Sequence, residues 1–234
     1  MNKKIIVTAA VLALAAQSVS AAEFWDCNNH WANVSINKLA DKGIINGYED
    51  GSFKPDGEVT RAQYLKMMME AVGIPTVEYR EDECLDASWN DWYAPYLQSA
   101  LDKGLIPQDM IVGYKANISI DRDESGASVD SSIKYSGAFN GNVSISREEA
   151  AYFTMALCQY SLNANTMTKL KEANKNVTFT DESDISAWAL PSVKLAATNE
   201  IITGVGSGAF APKDTETRAQ AAAMIERLLE KLEK

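Results

Sequence analysis

The chain has 234 residues, 46% of them hydrophobic and 23% charged, with a formal charge of −10. That balance argues against nucleic acid as a partner, because a phosphate backbone is held by clustered Lys and Arg. No segment reaches about 18 consecutive apolar residues, so no transmembrane helix is expected.

The chain opens on "MNKK", then a 12-residue apolar run, "IIVTAAVLALAA", then the small residues "SVSAA". A basic start, a short apolar stretch and a small-residue cleavage site predict a secretory signal peptide over residues 1–22. Without Lys3 and Lys4 the formal charge becomes −12. No lipobox cysteine follows and no sortase-like tail ends the chain, so an exported, soluble product without a covalent anchor is expected. Three cysteines, Cys27, Cys84 and Cys158, are an odd number for an exported protein. Cys27 and Cys84 stand in equivalent loops and are candidates for a bridge, whereas Cys158 falls on an apolar helix face. Without a CxxC pair they do not suggest a metal site.

From residue 23 the chain runs through an acidic turn, "FWDCNNHW", into a first helix. Trp31, Val34 or Ile36, and Leu39 are its spaced apolar positions, and Gly43 is its stop. Ile44-Ile45 and the loop "GYEDGSFKPDGEVTRAQ" lead to a second helix, with Thr60 and Gln63 forming a capping box. Its apolar face includes Tyr64, Leu65, Met68 and Val72, and Gly73-Ile74-Pro75 ends it. After the connector "PTVEYREDE" the pattern recurs, with "CLDASWNDW", a helix to Gly104, Leu105-Ile106 and "GAFNGNVSISREE". A polar, partly helical and exposed connector, "NANTMTKLKEANKNVT", precedes the last copy. That copy has "FTDESDISAW", a stop at Asn199-Glu200 with Asn able to take the left-handed turn, Ile201-Ile202 and "GVGSGAFAPKDTETRAQ".

The spacings define three repeats. Trp31 to Gly43, Trp92 to Gly104 and Trp188 to Glu200 each span 12 residues; Phe53 to Arg61, Phe139 to Arg147 and Phe210 to Arg218 each span 8. The domains predicted are 23–75, 84–162 and 179–234. A helix–loop–helix unit of roughly 50 residues buries too little apolar surface to fold alone. One mainly α-helical bundle of all three is therefore expected.

The second repeat takes 43 residues from helix stop to Arg where the others take 18. The insertion, about 107–136, alternates in "NISI" and "SIKY" around a polar turn, which predicts a β-hairpin. Asp121, Asp123 and Ser125 with Gly126 match the first half of a calcium loop, but Ser132 stands where a bidentate Glu is needed. The readings are a calcium site or a solvated acidic hairpin tip.

Arg61, Arg147 and Arg218 each fall at the first position of a capped helix, where a cation opposes the dipole by about 0.3–1 kcal/mol. One such arginine is tolerable packing or pairing with a carboxylate. Three at one offset from Phe point to an anion held by guanidinium and free helix N–H groups.

With "HWA", "INKLADKGIINGYEDGSFKPDGEVTRAQ" and their later counterparts laid out, the chain resembles three tandem S-layer homology (SLH) domains. The resemblance implies a pseudo-threefold helical prism. It also implies non-covalent binding of an anionic, often pyruvylated, secondary cell-wall polysaccharide at the cell surface. Carried over by position, the ligand-binding set is Asp26, Trp31, Gly47 and Arg61 in the first repeat, and Asp181, Trp188, Gly204 and Arg218 in the third. In the second it is Asp86, Trp92 and Arg147, where the glycine is displaced and "SREE" replaces "TRAQ", so the site around Arg147 is expected to be weak or lost. The tryptophans also read as largely buried packing, the aspartates as turn formers, and His30 as structural.

A glycan hydrolase using two carboxylates is the enzymatic alternative, but no carboxylate pair, nucleophile triad or metal cluster stands out. A lattice subunit, or an adaptor that self-associates or binds a surface protein, is the structural one.

Overall fold

The computed structural model describes residues 23–80, 86–122, 125, 128–161, 164–172 and 176–232. The signal segment and Cys84 lie outside them. The chain is mainly α-helical, in the order α1 (Asn33–Asp41), α2 (Arg61–Val72), α3 (Ala94–Asp102), β1 (Val112–Arg122), β2 (Ser128–Ala138), α4 (Arg147–Ser161), α5 (Ala164–Glu172), α6 (Leu190–Thr198) and α7 (Arg218–Leu232).

The first helices stop where the backbone turns left-handed, at Gly43 (φ 71°), Gly104 (φ 63°) and Glu200 (φ 61°). The last corrects the expectation for Asn199, which keeps φ at −89°. Its side-chain amide donates instead to the carbonyls of Leu170 and Leu195, so the strained conformation passes to the next residue. The second helices all begin with reciprocal capping boxes, Thr60 with Gln63, Ser146 with Glu149 and Thr217 with Gln220.

Packing is cyclic. The first helix of each repeat lies on the second helix of the repeat before it: α3 on α2, α6 on α4 and, closing the ring, α1 on α7. Helix α2 also packs on α4 and α7. Where the three second helices meet, the large Tyr64 ring stands at the position that Ala150 and Ala221 occupy in the other two, and all three are fully buried. The Tyr64 hydroxyl shares a hydrogen bond with Thr154 Oγ1 at 2.7 Å and reaches Met224 Sδ at 2.9 Å. One bulky and two minimal side chains thus stand at equivalent buried positions.

A backbone ring repeats the cycle at the loop end. Val59 N–H donates to Glu216 C=O (3.0 Å), Glu216 N–H to Ile145 C=O (3.0 Å), and Ile145 N–H to Val59 C=O (2.9 Å). Glu58 sits beside it and accepts hydrogen bonds from Ser144 Oγ and Thr215 Oγ1, its counterparts in the other repeats.

In the insertion β1 and β2 pair antiparallel, with Ile118 opposite Ile133 and Asp121 opposite Asp130. The ladder runs from Val112 to Ala138, well beyond "NISI" and "SIKY". The connector 163–178 differs from expectation: α5 buries Met167 and Leu170, and Leu170 C=O receives the Asn199 amide. In α1, Ile36 and Leu39 face the core while Val34 is exposed.

Candidate functional site

The three aspartates do the same job. Asp26 accepts hydrogen bonds from the N–H groups of Phe53 and Lys54 (2.9 and 2.7 Å), Asp86 from Phe139 (2.7 Å) and Asn140, and Asp181 from Phe210 and Ala211 (2.8 and 2.7 Å). Each receiving loop carries a left-handed residue there, Lys54, Asn140 and Ala211, with φ of 55–56°. That conformation points two successive N–H groups into one concavity, which the carboxylate fills. The bonds from Phe210 hold Asp181 below the usual carboxylate range.

The arginines differ from the sequence expectation in two ways. First, the N–H groups at the helix starts are occupied. Arg61 and Ala62 donate to Val143 and Gly141, Arg147 and Glu148 to Asp214 and Pro212, and Arg218 and Ala219 to Gly57 and Pro55. Each helix start is thus capped by the loop of the next repeat, and no row of free N–H groups awaits an anion.

Second, each guanidinium is buried over the phenylalanine of that next loop: Arg61 over Phe139 (5.0 Å), Arg147 over Phe210 (5.1 Å) and Arg218 over Phe53 (4.3 Å). Arg61 bonds Glu149 (3.1 Å) and Met110 C=O (2.6 Å). Arg147 bonds Glu216 (2.8 Å), Phe210 C=O (2.9 Å) and Thr203 C=O (2.8 Å). Arg218 bonds only carbonyls, those of Phe53 (2.8 Å) and Asn46 (3.1 Å), and burial lowers its pKa. Only Arg218 of the three has no ion pair among the described residues.

The glycines secure close approach. A Cβ at Gly47 would lie 2.2 Å from Phe24 Cε1, and one at Gly204 2.6 Å from Ala209 C=O.

Two of the three tryptophans reverse the packing expectation. Trp31 and Trp92 are 62% and 50% exposed. They stand at helix entries on the rim of the bundle rather than in its core. Trp188 is partly covered and meets Tyr152 edge-on at 5.5 Å.

The sequence-picked residues regroup across repeat boundaries. Trp31, Arg147, Thr203, Gly204, Glu216 and Arg227 line a cavity of about 260 Å³. Asn46, Gln63, Lys66, Met67, Trp92 and Arg218 line its counterpart of about 140 Å³. Each joins the loop and second helix of one repeat, the arginine of the repeat before and the tryptophan of the repeat after. Arg61, not Arg147, therefore serves the altered loop of the second repeat. Arg147 stands instead beside the Gly204 loop. Sequence reading missed Asn46, Lys66, Thr203 and Arg227, because repeat spacing does not say which repeat a side chain faces.

Glu216 was also missed, although "DTETRAQ" carries Glu where "GEVTRAQ" carries Val. It is fully buried, and burial pushes its carboxyl up to about 7 against the opposing pull of Arg147. His30 is structural: its Nδ1 accepts from Ala32 N–H and its Nε2 faces Asp56 Oδ1, both at 3.2 Å. Cys27 is a free, buried thiol. Of the calcium-loop residues, Asp123 lies outside the described residues and Asp121 lies within β1. Among the described residues no three His, Cys, Asp or Glu side chains gather to hold a metal.

The chain is 34% identical over 209 residues to an amylopullulanase of Thermoanaerobacterium thermosulfurigenes, covering 89% of this chain and 10% of that protein. It is 34% identical over 209 residues to an exoglucanase of Acetivibrio thermocellus (89% and 16%). It is 29% identical over 229 residues to an S-layer protein of Bacillus anthracis (95% and 22%). The chain thus spans about a fifth or less of the length of these relatives. What enzymes and S-layer proteins share with it is a non-catalytic module, in keeping with a cell-wall-associated attachment role. Residues 23–65 and 178–222 match the S-layer homology domain model, so the chain carries an S-layer homology domain over these two stretches.

Proposed function

We propose that the chain forms three S-layer homology repeats closed into one pseudo-threefold bundle, with the hairpin inserted in the second. It binds an anionic cell-wall polysaccharide non-covalently at the inter-repeat grooves and so attaches at the cell surface. The cyclic order of helix packing and the backbone ring through Val59, Ile145 and Glu216 support the bundle.

The observation that carries the binding reading is the groove beside Arg218. It joins an exposed indole at Trp92, a second cation at Lys66, and a guanidinium that has no ion pair among the described residues. A flat aromatic face beside positive charge suits a sugar ring bearing a carboxylate. The groove beside Arg147 offers Trp31 and Arg227 but holds Glu216 against its guanidinium, so it binds an acidic ligand less well. At the second repeat Trp188 is engaged with Tyr152 and Arg61 with Glu149, and that groove is the weakest.

The test is retention of the protein on purified cell-wall sacculi, before and after mild acid removal of the secondary polymer. Retention is expected before treatment and not after. Trp31→Ala with Trp92→Ala removes exposed rings and should weaken retention by roughly tenfold or more at unchanged melting temperature. Unchanged retention by this double variant would sink the groove assignment.

A further inference from the structure

A further cavity lies apart from these grooves. It measures about 620 Å³ and lies farther along the bundle, between α4 and α6, with Lys103 and Gly104 at the end of α3 on one side and Lys171 of α5 on the other. Tyr152, Gln159, Tyr160 and Ser192 line it, over an apolar floor that includes Met155 and Leu195.

The matching place between α7 and α1 shows what has changed. There Lys38 is tied to Glu226 and Glu230, and the space left is about 220 Å³. Counting from each repeat's own Arg and Trp, the counterparts of Glu226, Glu230 and Lys38 are Met155, Gln159 and Leu195. The ion pair that fills one boundary is thus replaced by two apolar side chains and an amide at the other. Two cations are then added from outside the pair of helices, Lys103 and Lys171.

No carboxylate lines the cavity among the described residues, on a chain whose formal charge is −10. Neither lysine has an ion pair among the described residues. Lys103 Nζ stands 5.4 Å from the centre of the Tyr160 ring, which is half exposed. The volume is within the usual range for a small-molecule site.

From this we infer a second binding site, for an acidic saccharide: a sugar unit carrying a carboxylate or phosphate. The tyrosine rings offer faces for the apolar side of the sugar. Gln159 and Ser192 offer hydrogen bonds to its hydroxyls. The two lysines take the anion as mobile point charges. The site does not depend on the inter-repeat grooves, and it includes the connector helix α5, which has no counterpart among the described residues between the first and second repeats.

The experiment is titration of the full protein with glucuronic acid, glucose 6-phosphate and neutral glucose, followed by NMR or calorimetry. Saturable binding of at least one acidic sugar, tighter than glucose, is expected; comparing the two acidic probes separates carboxylate from phosphate preference. Lys103→Gln with Lys171→Gln should weaken that binding by roughly tenfold and leave glucose unaffected. In the Trp31→Ala, Trp92→Ala protein, where the grooves have lost their rings, acidic-sugar binding that the lysine substitutions weaken should persist, which separates this site from the grooves. No saturable binding of either acidic sugar overturns the inference, as does equal affinity in the lysine variant. Loss of sacculus retention in the tryptophan variant, with acidic-sugar binding intact, supports both sites.

Discussion

Replacing Glu216 should change how the protein's stability depends on pH. Glu216 is fully buried, gives one oxygen to Arg147 at 2.8 Å, and leaves Oε2 without a hydrogen-bond partner. Its carboxyl is displaced from 4.5 to about 7 by desolvation, which outweighs Arg147. At about 1.4 kcal/mol per pKa unit this is about 3 kcal/mol. The sign follows from proton binding: the folded state holds this proton more tightly than the unfolded chain. Its stabilising contribution is complete below pH about 4.5 and is lost as pH rises through about 7. For a chain of this size the loss corresponds to a melting temperature lower by about 6–12 °C.

Thermal unfolding followed by circular dichroism at pH 5 and pH 8 measures it, on the native protein and on Glu216→Gln, which cannot ionise. Other titrating groups are common to both proteins, so the difference between their pH responses isolates Glu216. Equal pH responses would refute the reasoning. Glu216→Val adds a second check, because Val59 holds the same ring position opposite Arg218, which is held by the Phe53 and Asn46 carbonyls without a carboxylate. Because Arg147 remains buried without its carboxylate, this variant should be less stable than the native protein at pH 8, by less than the roughly 3–5 kcal/mol usual for breaking a buried ion pair to the extent that the Phe210 and Thr203 carbonyls hold Arg147 as those of Phe53 and Asn46 hold Arg218.

Asp26→Ala leaves two loop N–H groups without their carboxylate and should cost about 2 kcal/mol, seen as a lower urea midpoint with unchanged slope. Glu200→Gly relieves a left-handed non-glycine residue and should add up to about 1 kcal/mol, despite the greater freedom of glycine in the unfolded chain. Tyr64→Ala empties the junction of α2, α4 and α7 and should cost about 3–5 kcal/mol; adding Ala221→Leu should restore part of it, and a simple sum of the two effects would contradict the shared packing.

Sequence reading succeeded where the cause is local. Gly43 and Gly104 stop helices because a left-handed residue is needed there, and Thr60, Ser146 and Thr217 cap helices through partners three residues away. It was incomplete where the cause lies in another repeat. Arg61, Arg147 and Arg218 looked like helix-start cations facing an anion, because nothing local explains them. The next loop adds what spacing could not show: its carbonyls take the helix N–H groups, and its phenylalanine lies under the guanidinium, so any anion must be met by the guanidinium rather than by the helix start. The exposed Trp31 and Trp92 were misjudged for the same reason, since helical spacing locates a face but not what covers it. A cyclic arrangement makes this failure systematic, because every groove draws on three repeats. A change of motif in one repeat then alters a groove whose arginine belongs to its neighbour. Motif damage in the second repeat should therefore be read at Arg61, while the partner of Arg147 is decided by the third repeat, where Glu has replaced Val.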